Sequence, residues 1–157
     1  MALPAPQADY LFLGPLIVER LRDQLAVQGL PIAPQDIVRV EDLAQAPGAA
    51  GVGGALIFVL WDGEAFVQGD RGQASTSPAQ QVSQTWTVVA RVRNASQVID
   101  DPHNAVAGRL LSAIHAALAG WVAPGAVRPL QRSQGRRPDY QANDGLYPLS
   151  FSVSLHL

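Results

Sequence analysis

The chain contains no cysteine. Disulfides, thiolate nucleophiles and thiolate metal sites are excluded together. It contains no lysine either: all eleven basic residues are arginine. Histidine and glutamate are scarce, with three of each. No apolar run approaches the ~20 residues needed to span a bilayer. The opening stretch MALPAPQADY has no basic segment followed by an apolar one, so it does not read as a secretory signal. That favours synthesis and use in the cytoplasm. The net charge of −2 speaks against a protein held on nucleic acid by its overall field.

The residues that usually carry chemistry are few and scattered. His103, His115 and His156 show no metal-ligand spacing such as i, i+4. Asp100 and Asp101 lie near His103 but are better explained as caps of a helix. Glu19, Glu41 and Glu64 fall in different elements, and Asp62-Gly63 and Asp144-Gly145 read as turns. No serine occupies a Gly-x-Ser-x-Gly elbow. The stretch APGAAGVGGA, residues 46–55, lacks the Gly-Lys-Ser/Thr ending of a phosphate loop and reads as a connector. The expectation is a protein with no catalytic residue, cofactor or metal site, and not an enzyme.

What is abundant is patterned hydrophobicity. With 157 residues, 48% of them hydrophobic, the chain can form one domain with a real core. Residues 1–9 read as an Ala/Pro-rich arm and 10–157 as a single domain. Leu13, Ile17, Leu21 and Leu25 recur at i+4 with Val18 beside them, predicting a helix over 15–28 that ends before Gly29. Asp9 is placed to cap an earlier turn. Val106, Leu110, Ile114, Ala117 and Leu118, with Leu111 at the edge, predict a second helix that starts at Pro102 and ends at Gly120.

Strands are expected at 37–40, 55–61, 64–68, 81–93, 127–131 and from Tyr147 to the end. ALIFVLW, residues 55–61, is apolar throughout, as in a strand covered on both faces or central in a sheet. Asp62-Gly63 is read as a hairpin turn into the 64–68 strand. In 81–93, Val82, Trp86, Val88, Ala90 and Val92 share one face. Pro129 suggests an edge position for 127–131. The final segment alternates Tyr147, Leu149, Phe151, Val153, Leu155 and Leu157 with polar residues. Residues 42–44 suggest one helical turn, and 69–80 and 132–145 read as long polar loops. The predicted fold is α+β: a mainly antiparallel sheet with two helices packed on one face.

Two features point to assembly. A compact domain of this length is about 40 Å across, whereas a 13-residue strand spans ~43 Å. Such strands cross the whole domain and carry loops to its rims, and an uncovered edge on one of them needs a partner. The second feature is the run Arg128, Arg132, Arg136 and Arg137, with Asp139 and Asp144 nearby. It is either a solvated loop or a contact with another subunit or a polyanion, since arginine pairs with carboxylate and phosphate through planar double hydrogen bonds.

The order of LIVERLRDQL, ALIFVLWDG, TWTVVARVR, a helix ending AALAGW, an Arg/Tyr loop and a final LYPLSFSVSL resembles the tail terminator (tail completion) proteins of long-tailed bacteriophages, including Mu-like minor tail proteins. The resemblance covers about residues 10–157, without the N-terminal arm and the Gly/Ala stretch. It implies a structural subunit of a six-membered ring that caps the head-proximal end of the tail tube and stops tube polymerisation. The partners it implies are the tail tube protein and a head–tail connector, with DNA only as cargo passing through the hole. No cofactor, catalysis or membrane is implied. Loop position and charge, not any family motif, select Asp70, Arg71, Arg132, Arg136, Arg137 and Asp139 as the candidate subunit or tube interface. Another neck or baseplate subunit and a small ligand-binding domain or enzyme are the alternatives.

Overall fold

The computed structural model describes residues 9–30, 32–41, 55–66, 81–93, 102–141 and 144–156. The expectations for the arm up to residue 8, the turn at 42–44, most of the Gly/Ala stretch, the 69–80 loop and the Asp100/Asp101 cap lie outside these residues. Along the chain run α1 (Leu13–Val27), β1 (Ile37–Arg39), β2 (Ala55–Phe66), β3 (Gln81–Arg93), α2 (Pro102–Leu118), β4 (Gln131–Ser133), β5 (Asp139–Gln141) and β6 (Asp144–His156). The sheet order is β1-β2-β3-β6-β4, with β5 also on β6. Only β1–β2 is parallel; the other pairs are antiparallel. The fold is α+β, with both helices on one face of the sheet.

The periodicities place the core. The α1 stripe Leu13, Ile17, Val18, Leu21 and Leu25 is buried, as are Leu110, Ile114, Ala117 and Leu118 of α2. They meet Ala55, Ile57 and Val59 of β2, Trp86, Val88, Ala90 and Val92 of β3, and Tyr147, Phe151, Val153 and Leu155 of β6. Fully burying side chains of this size stabilises by about 1.5–3 kcal/mol each. Asp9 caps the turn before α1, as expected: its carboxylate accepts the Leu11 N–H at 2.9 Å. The helix itself starts at Leu13, two residues before Pro15. Arg20 joins the helices, donating from Nε to Ala117 O at 3.0 Å with its guanidinium 5.5 Å from the Trp121 ring centre.

Three strand expectations are corrected. Asp62-Gly63 is not a hairpin turn. Ala55–Phe66 is one strand on β3, and the pairing steps from Trp61↔Trp86 to Glu64↔Gln84, so Asp62 and Gly63 together oppose Thr85. This is a β-bulge, and Gly63 takes φ 105, a region that favours glycine. Three strands rather than four therefore separate the helices among the described residues. The expected 127–131 strand is displaced: Leu130 N–H turns back to Trp121 O at 2.9 Å, and β4 begins only at Gln131. Finally, the supposed loop 132–145 contains β5 and the start of β6.

β2 is buried on both faces. Away from the helices, Leu56, Phe58 and Leu60 form a second apolar cluster with Val40 and Val89, against which Val38 and Leu146 pack. That explains its unbroken apolar run.

Candidate functional site

The edge of the sheet beyond β6 is built in two pieces. β4 pairs with Ser150–Ser152 and β5 with Leu146–Asp144, leaving Tyr147–Leu149 without an outer partner among the described residues. Pro148 sits in the middle of that gap. The Ser154 carbonyl points outward, taken by the Val127 N–H at 2.9 Å. Two-residue alternation puts the Pro148 nitrogen on the same outward side. Proline has no N–H to give, so the outer ladder breaks there while the inner ladder to β3 stays intact. Residues 134–138 leave the edge at this break.

They fold over the sheet face opposite the helices. A Cβ on Gly135 would stand 3.3 Å from Ser150 Oγ, so the loop backbone lies close on β6. From there Arg136 donates to Asp62 Oδ1 at 2.9 Å. The other carboxylate oxygen, Oδ2, accepts the Thr87 hydroxyl at 3.0 Å, and Thr87 and Ser150 hydroxyls lie 2.9 Å apart. Thr87 and Ser150 are both only 2% exposed. A polar line thus crosses β2, β3 and β6 beneath the loop. A second ion pair lies along the same face, with Arg91 Nε 2.8 Å from Asp144 Oδ2. Without partners such buried hydroxyls and carboxylates would be costly.

The structure places the sequence-selected residues as follows. Arg132 is exposed on β4, its guanidinium 5.5 Å from the centre of the Phe151 ring on the helix side of the sheet. Arg136 reaches across the open face to Asp62. Arg137 is exposed in the loop, and Asp139 is exposed on β5 opposite Leu146. These four share one edge and its loop. Asp70 and Arg71 lie outside the described residues. Asp62 was missed because it was read as a turn. Trp61 was missed too; it is 37% exposed and meets Tyr10 edge to face at 6.3 Å between ring centres. A bulky aromatic at the end of an otherwise buried strand was the available signal.

Tyr140 and Tyr147 also meet edge to face, at 6.0 Å between centres, beside this edge. Burial pushes the Tyr147 phenol up to about 12, aided by its hydrogen bond and charge coupling with Tyr140. His115 and His156 are exposed, on α2 and at the end of β6. Among the described residues no three His, Asp or Glu side chains group as a metal site. No described helix is long and apolar enough to cross a membrane.

The site is therefore a surface, made of an arginine-bearing edge, a strapped open face and a second edge at β1–β2. The chain matches the phage tail terminator protein family over residues 7–157. It belongs to that family. Membership makes it a structural protein of the phage tail. In fold, this tail terminator chain is similar to a chain from the virion of a native gene transfer agent particle, at a TM-score of 0.53 and 17% identity. The likeness covers 95% of this chain and 100% of that one. No curated relative matches it in sequence.

Proposed function

We propose that copies of this chain close into a six-membered ring that caps the head-proximal end of the tail tube. The ring ends tube polymerisation and joins the tail to the head–tail connector, while DNA passes through its hole as cargo. The observation that carries this reading is the family match over 7–157, in a subunit whose sheet ends in two chemically different edges. A closed ring needs such heterologous contacts, one face of a subunit against a different face of the next. The exposed Arg132, Arg137 and Asp139 form part of the assembly surface, and Asp70 and Arg71 are assigned to subunit or tube contacts on their charge and sequence position alone. Arg136 serves by holding the loop on the open face. The protein assembles in the host cytoplasm and stays in the virion.

The test is assembly itself. Native mass spectrometry and negative-stain imaging of the purified protein should show a closed ring. Added to polymerising tail tube protein, it should bind tube ends and hold tube length down. A protein that stays monomeric at high concentration and leaves tube ends bare overturns the reading.

A further inference from the structure

The cross-strand register aligns the two edges of the sheet. Trp61 pairs with Trp86, Trp86 with Phe151, and Phe151 with Arg132. One row thus begins at an exposed indole on β2 and ends at an exposed guanidinium on β4, both on the helix side. Two rows up, past the bulge opposite Thr85, runs the row of Glu64, Gln84 and Val153. One row further, that of Ala65, Ser83 and Ser154, the Val127 N–H binds Ser154 O, and exposed Arg128 follows it. Indole and guanidinium therefore stand at matching heights on opposite edges, and exposed Glu64 lies one row from the segment that carries exposed Arg128.

The edges are also open. β1 pairs only with Ile57–Val59, so β2 beyond Val59 has no strand on that side among the described residues. Val40 N–H still reaches Val59 O at 3.0 Å, which brings exposed Glu41 beside the Trp61 end. No ion pair or hydrogen bond engages the side chains of Glu41, Glu64 or Arg128 among the described residues. Other guanidiniums on this side are already engaged, Arg136 by Asp62 among them. Arg22 donates to Pro34 O and Ile37 O, and Arg39 lies over Trp86.

We propose that the β4 edge of one subunit docks on the β2 edge of a second copy, with Arg132 on Trp61 beside Glu41 and Arg128 against Glu64. The contact deepens the ring reading above and rests on it. Three antiparallel steps separate β2 from β4, so the two run in opposite directions. A copy rotated about an axis along the strands presents β4 antiparallel to β2, the same ladder type as inside the subunit. Rotation without translation preserves height, so row meets row around a closed ring. Arginine over tryptophan and paired with carboxylate is the chemistry typical of interface anchors.

Charge reversal in the full chain tests this, with circular dichroism checking that each variant folds. In sedimentation velocity, Arg128→Glu with Arg132→Glu should weaken self-association at least ~10-fold, and Glu64→Arg should do the same. Joining Arg128→Glu to Glu64→Arg should recover association to within about 3-fold of the unchanged protein, because the pair is restored in reverse. Trp61→Ala should weaken it and Trp61→Phe should retain most of it. If folded reversal variants still form the ring, or the combined variant recovers nothing, this contact is wrong while the ring stands. An unchanged protein that neither self-associates nor blocks tube ends overturns the ring reading and the contact together.

Discussion

Asp62 accepts from two side chains, one exposed and one buried. The Arg136 side of the bond is solvent-facing, so Arg136→Ala should cost only about 0–1 kcal/mol. Asp62→Ala also strips the Thr87 hydroxyl of its acceptor beneath the loop, and should cost about 1–3 kcal/mol. Urea unfolding of the two variants checks the ordering; equal losses would contradict it. Tyr147 gives a second measurement at this scale. Its phenol is held at about 12 in the fold, against 10.0 for the unperturbed group. Above pH 10 the unfolded chain ionises there while the folded chain does not. Stability intact below that point is therefore lost as pH rises toward about 12. Thermal melts near pH 9 and pH 11 should show a smaller alkaline loss in Tyr147→Phe than in the unchanged protein.

Among the elements, β2 and β6 carry the two irregularities on which the site depends. The bulge at Asp62-Gly63 turns the Asp62 carboxylate onto the open face, and Gly63 holds it with φ 105. Gly63→Ala should destabilise the protein by about 1–2 kcal/mol through backbone strain alone, lowering the urea midpoint with an unchanged slope. Asp-Gly is the chemistry of a hairpin turn and equally of a bulge, because both use a glycine at positive φ. Only the pairing of both flanks with one partner strand separates the two outcomes. The helices, in contrast, were legible in full outline: their apolar stripes and the glycines after them, Gly29 and Gly120, depend on neighbours within a few residues. β4 and β5 were not legible, since three residues carry too little pattern to mark a strand and owe their state to β6.

At the scale of the whole molecule, the proposed assembly surface is electrostatic at its rim. Arg128, Arg132 and Arg137 are exposed on one side and Glu41 and Glu64 on the other. Screening shortens such attraction to about 3 Å at 1 M salt. Ring association followed by light scattering should therefore weaken between ~0.1 and ~1 M salt, while subunit unfolding, governed by the apolar core, changes much less. The arginine cluster was visible in the sequence because its members are close along the chain. Its partners were not: Asp62 is 74 residues from Arg136, and the alignment of Trp61 with Arg132 exists only through two intervening strands.

The amino-acid order alone determined which side chains of each helix and long strand face the core, and that the fold is α+β. Periods of 3.6 and 2 are local geometry, read over a handful of residues. Tertiary structure alone decided which strands adjoin, in what register, and hence which side chains share a row from edge to edge. Pairing is a competition among distant segments, settled by the burial and hydrogen bonding of the whole sheet rather than by any one stretch of it.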